Sequence, residues 1–149
     1  MSVVFDRNED CAAASAEAIA AFERERGIVL PSGYREFLAN SGGGSPTPHW
    51  SSFGKSGDYV SWVYGLHQGE RWKRLNDAVE QFGHDLSEFL PVAVSNGGNY
   101  FLLRLAEPDP GAVYFWDHER EGFAPPTFDS VIRVADSFGS WLDGLRDVS

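Results

Sequence analysis

Cysteine and lysine are nearly missing from this chain. Its 149 residues include one cysteine, Cys11, and two lysines, Lys55 and Lys73. A lone cysteine closes no internal disulfide and leaves no second thiol for a Cys-x-x-Cys metal pair. No apolar run reaches the ~18 residues that a membrane-spanning helix needs. No basic stretch precedes an apolar region at the N-terminus, and Asp6, Glu9 and Asp10 interrupt it. A secretory signal is therefore not expected, and the cytoplasm is the expected location. Repeats, low-complexity segments and interdomain linkers are also missing, so residues 1–149 are expected to form one domain.

What the chain does have is negative charge and aromatic surface. Twenty-two acidic residues against 12 basic ones give a net charge of −10. Such a field repels phosphate backbones and anionic lipid, so neither nucleic acid nor membrane is an expected partner. It favours a basic partner, or simply solubility. With 42% hydrophobic and 14% aromatic residues the chain has material for a proper core, which excludes global disorder.

The periodicities define an order of elements. From about Asp10 to Arg26, Ala16, Ile19, Ala20 and Phe22 recur at helical spacing, and Gly27 is placed to stop the helix. Ile28-Val29-Leu30-Pro31 breaks the pattern, because proline pushes its predecessor toward extended geometry. Ser32 is the expected N-cap of a second short helix carrying Tyr34, Phe37 and Leu38 on one face, ended by Gly42-Gly43-Gly44. Residues 45–58, rich in Ser, Gly and Pro, show no period and are expected to be a loop. Tyr59 to Leu66 alternates as a strand, and Trp72, Leu75, Val79 and Phe82 suit a third helix ending near Gly83.

Leu90 to Val94 and Phe101 to Leu105 alternate around Asn96-Gly97-Gly98-Asn99, which predicts an antiparallel hairpin. Pro108 to Gly111 is a second turn, Val113 to Trp116 a further strand, and Val131 to Val134 a possible edge. Asp136 is the expected cap of a last helix with Phe138, Trp141, Leu142 and Leu145 on one face. The fold class is α+β: a single mostly antiparallel sheet with N-terminal helices, an intervening helix and a C-terminal helix packed on it.

Three blocks in this order carry a resemblance. The first runs through Glu23, Gly27, Leu30-Pro31, Tyr34, Phe37-Leu38 and Gly42-Gly43; the second through Leu90-Pro91, Gly98-Asn99 and the apolar run to Leu105. The third is Val113 to His118, followed by a closing stretch from Asp136-Ser137-Phe138 to Leu145. Together they resemble the SUKH superfamily (SMI/KNR-type domains), which includes bacterial toxin-immunity proteins and fungal cell-wall regulators, over roughly residues 16–145. One departure is Ser95-Asn96 at the hairpin turn, where family members often carry an acidic residue. The resemblance implies an α+β fold, no common catalytic site, no cofactor, and stoichiometric binding of a protein partner. In bacteria that partner is a cognate toxin domain.

Read for chemistry, the chain offers little beyond binding. Gly54-Lys55-Ser56 mimics the tail of a phosphate-binding loop, but His49 stands where that motif needs glycine. Asp117-His118-Glu119 alternate in direction at a strand end and do not converge without a bend. The remaining histidines, His49, His67 and His84, lack ligand spacing, no Gly-x-Ser-x-Gly elbow occurs, and no basic residue near Cys11 would activate it. Trp62, Trp72 and Trp141 fall on apolar faces expected to be core. Trp50 sits in the unpatterned stretch, and Trp116 shares a strand face with Tyr114 whose cover is left open. With Asp58, Asp117, Glu119 and Glu121 nearby, Trp50 and Trp116 are the expected partner-binding residues, since aromatic anchors ringed by carboxylates steer and hold a basic partner. The expected protein is non-enzymatic and metal-free, with immunity by toxin capture as its role. A scaffold or regulator is the alternative, and a small hydrolase the third reading.

Overall fold

A computed structural model describes residues 4–6, 13–53, 55–66, 75–117 and 125–147. Helix α1 (Ala16–Arg26) begins after Ser15, whose hydroxyl accepts the Ala18 N–H, so it starts later than the periodicity predicts. It stops at Gly27 in the left-handed conformation. Helix α2 (Ser32–Asn40) follows at once. Ser32 is its first residue rather than its cap; Pro31 takes the cap position and makes no side-chain bond there.

The Leu-Pro corner between them is fixed by one carboxylate. Glu23 Oε2 accepts the Leu30 N–H at 2.7 Å and Arg35 Nη2 at 2.8 Å, tying the end of α1 to the start of α2. Burial works to raise the Glu23 pKa, but the Arg35 hydrogen bond, the Leu30 amide and the Arg35 charge outweigh it and hold it below the usual value.

Among the described residues there are eight strands, seven of them on one antiparallel path. They are β1 (Val4–Asp6), β2 (Gly43–Thr47), β3 (Trp50–Phe53), β4 (Ser56–Tyr64), β5 (Phe89–Ser95), β6 (Tyr100–Arg104), β7 (Val113–Trp116) and β8 (Val131–Ala135). The order is β1-β2-β4-β5-β6-β7-β8, with β3 paired to β4 off this path. Helix α3 (Leu75–Phe82) lies between β4 and β5, and α4 (Phe138–Asp143) follows β8. The expected loop over 45–58 is thus corrected: most of it is strand, from the end of β2 through β3 to the start of β4. The expected helix stop at Gly42-Gly43-Gly44 is corrected as well, since α2 ends at Asn40 and Gly43-Gly44 open β2. A Cβ on the neighbouring Gly65 would lie 1.9 Å from the Gly42 carbonyl oxygen, so this crossing of two backbones excludes any side chain. The cap of α4 is Ser137 in a reciprocal pair with Ser140; Asp136 instead meets Arg133 at 3.1 Å.

Both faces of the sheet are covered. On one, Ile19, Phe22, Tyr34, Leu38 and Phe138 pack against Val60, Trp62, Phe101 and Phe115, with Trp141 from α4. Tyr34 donates its buried hydroxyl to the Tyr64 carbonyl, seating α2 on β4. On the other face Phe82, Phe89, Leu102, Tyr114 and Trp116 form a second cluster. Arg104 is 3% exposed at its border. Its guanidinium lies 5.0 Å from the Phe89 ring and 4.4 Å from the Phe128 ring, and it donates to Glu88, the Ala106 carbonyl and the Glu107 carbonyl. Tyr114, hydrogen-bonded to Asp109, has its pKa pushed up to about 12, first by burial and then by that carboxylate.

Candidate functional site

Strand β4 serves two neighbours. Its first residues, Ser56 to Tyr59, pair with β3, and its later ones pair with β5 and β2, with a register shift between Val60 and Trp62. The β3–β4 arm lies across the sheet toward β8. It is pinned at three points. Phe53 stacks on Phe115 at 4.6 Å, Trp141 Nε1 donates to Ser51 Oγ at 3.1 Å, and Trp50 exchanges two backbone hydrogen bonds with Arg146.

The far side of this arm borders a cleft of about 370 Å³. Val60 pairs with Ser95, Val94 with Tyr100, Tyr100 with Trp116 and Trp116 with Val131, so these residues form a row along one rim of the sheet. Asp58, Asn99, Asp117 and Asp129 stand just beyond that row, on four different chain segments, and all line the cleft. Phe53 and Phe115 supply one apolar wall, Val131 and Ile132 another. Asp58 Oδ1 accepts the Tyr59 N–H, and neither Asp58 nor Asp129 forms an ion pair among the described residues. The Asn99 Oδ1 is buried without a hydrogen-bond partner among the described residues, a condition that costs about 1–3 kcal/mol.

The expected binding residues separate here. Asp58 and Asp117 meet in the cleft, although 58 residues of chain divide them from each other's neighbourhood in the sheet path through β5 and β6. Trp50 is half-buried on the same arm; its ring packs edge-on against Tyr59 at 4.8 Å and lies over Gly57. A Cβ at Gly57 would come within 2.5 Å of that ring, so glycine is required there. Trp116 corrects the picture of an exposed aromatic anchor. It is 3% exposed, in contact with Phe82, His84 and Tyr100, because the second cluster covers its face. Glu119 and Glu121, like His118, His67, Trp72, Gly54 and Cys11, lie outside the described residues. Asp129 and Asn99 escaped the sequence reading, having no periodicity or motif to mark them. Ser95, at the hairpin turn, is buried and accepts the Asn99 N–H at 3.0 Å, a turn-closing role.

Among the described residues no three His, Cys, Asp or Glu side chains come together as metal ligands. His49 packs on Tyr59, and His84 on Phe82 and Trp116. The cleft sets carboxylate and amide acceptors at its rim against aromatic and aliphatic carbon. The fold is of the α+β class. The chain matches the SMI1 / KNR4 family (SUKH-1) over residues 13–144, and belongs to that family. Domains of this family are generally non-enzymatic, with immunity or regulatory roles exercised through protein binding. No curated protein matches the chain. Among the described residues no helix is long and apolar enough to cross a membrane.

Proposed function

We propose that this protein is an immunity protein that captures a cognate bacterial toxin, one to one, and blocks it by covering its active surface. The observation that carries this reading is the convergence of Asp58, Asp117 and Asp129 on one cleft in a chain of net charge −10. Carboxylates gathered around a pocket steer a basic partner and hold it in register. A nuclease toxin, with cationic groups for its phosphate substrate, presents that kind of surface. On this reading Asp58 and Asp117 form the centre of the contact, Glu119 and Glu121 extend it along the chain, and Trp50 anchors its flank. Trp116 supports the rim from beneath. The whole chain acts as a single domain in the cytoplasm, without cofactor or catalysis.

The test is capture from the source organism's lysate and secretions with this chain as bait, followed by co-expression of the captured protein. One stoichiometric partner that is toxic alone and harmless with this chain supports the proposal. Several housekeeping partners and no toxin would favour a regulatory role instead.

A further inference from the structure

The molecule shows, at Arg104, how it holds a guanidinium: two aromatic rings, edge-to-face with each other, lie against it, with a carboxylate and two carbonyl oxygens as acceptors. The rim cleft provides the same ingredients. Its acceptors are the Asp58, Asp117 and Asp129 carboxylates, with Asn99 beside them, and its carbon surface is the stacked pair Phe53 and Phe115. Among the described residues no arginine or lysine lines it.

We infer that this cleft receives a single arginine side chain presented by the protein partner. This deepens the proposed function, taking the binding role from it and adding the chemistry of the inserted group. Size and spacing exclude a simpler occupant. A bare ion fills little of 370 Å³, and no three acidic or histidine side chains among the described residues stand close enough to ligate one. An arginine stem is carbon and suits the Phe and Ile132 walls. Its planar head carries five donors and reaches acceptors on several sides at once, while its face stacks on aromatic rings. A lysine ammonium is a compact, strongly hydrated point charge and uses neither the plane nor the rings as well. Asp58 and Asp129 have no competing ion pair to surrender when the guanidinium arrives.

The experiment is a titration of the full chain, labelled with nitrogen-15, with N-acetyl-arginine methylamide. The lysine and norleucine analogues serve as controls. Saturable shifts are expected at the Asn99 side-chain amide, Asp117 and Ile132, with a Kd on the order of millimolar, as befits one side chain removed from its partner. The lysine analogue should bind several-fold more weakly and the norleucine analogue not measurably. Asp58→Asn and Asp129→Asn should each weaken the arginine probe about threefold, and raised salt should weaken it further. Circular dichroism and tryptophan emission check that each variant is folded. Equal response to all three analogues, shifts mapping away from the cleft, or affinity indifferent to both substitutions would overturn the inference. The two proposals fail separately. A toxin captured equally well by the folded Asp58→Asn/Asp129→Asn double variant leaves immunity standing and removes the arginine seat. A specific arginine response with no toxin captured does the reverse.

Discussion

The α1–α2 corner and the rim cleft use the same residue types to opposite ends. At the corner, Glu23 is matched by Arg35 and the Leu30 amide, and every contact spans a dozen residues or fewer. At the rim, Asp58 of β4, Asp117 just past β7 and Asp129 in the turn before β8 are gathered from separate segments, and Asp58 and Asp129 have no ion-pair partner among the described residues. A carboxylate with its partners in place stabilises the fold, whereas one without an ion pair, such as Asp58 or Asp129, keeps its hydrogen-bonding capacity for something else. The difference separates what holds the molecule from what it offers.

Substitutions can pull the two regions apart. The largest loss of stability is expected from Phe138→Ala, which empties the contact with Tyr34, Phe37 and Trp141 beneath the corner. Urea denaturation should show a loss of about 3–5 kcal/mol. Gly57→Ala tests the arm, because the added methyl group meets the Trp50 ring and the Ser51 carbonyl. It should cost about 1–3 kcal/mol and change Trp50 emission.

Glu23→Gln removes the charge from the corner and should cost about 1–2 kcal/mol at neutral pH. Its pH dependence has a definite sign. Since the folded Glu23 pKa is lowered, its contribution is full above the ordinary glutamate value and disappears as pH falls through the lowered one. The stability curve of Glu23→Gln should therefore be flatter across that acidic interval than the wild-type curve. The smallest effect on stability belongs to Asp129→Asn, within about 0.5 kcal/mol, since the residue is exposed and has no ion pair. Partner affinity, measured by calorimetry, should nonetheless fall. A stability loss at Asp129 as large as that at Glu23 would erase the contrast between the regions.

The corner was legible in the sequence because its interactions are local: helix spacing, Gly27, Leu30-Pro31 and the Tyr34/Phe37/Leu38 face lie within one short stretch. The 95–99 turn and strands β5 to β8 were legible for the same reason. The arm was not. In β3 a buried serine, Ser51, takes a core position because Trp141 donates to it from 90 residues away, so alternation of apolar and polar residues disappears. Short strands flanked by glycine and proline then read as loop. The cleft shared that opacity, since its walls meet only through the sheet order, and Asp129 and Asn99 look like any polar residues in turns. Trp116 misled for a related reason: a strand's second face shows alternation whether or not a cluster covers it.

The division of β4 between two neighbours has a kinetic meaning. The amides of Tyr59 and Val60 sit where the arm leaves the sheet; the Val60 amide bonds the His49 carbonyl, while the Tyr59 carbonyl accepts from Asn96. An arm that lifts keeps the Val60 bond, which joins its own two strands, and must break the pair of backbone bonds between Trp50 and Arg146. Deuterium uptake at the Trp50 and Arg146 amides therefore times the opening of the arm, and a ligand bridging Asp58 to Asp129 would slow that clock while the amides at the centre of β5 kept their pace.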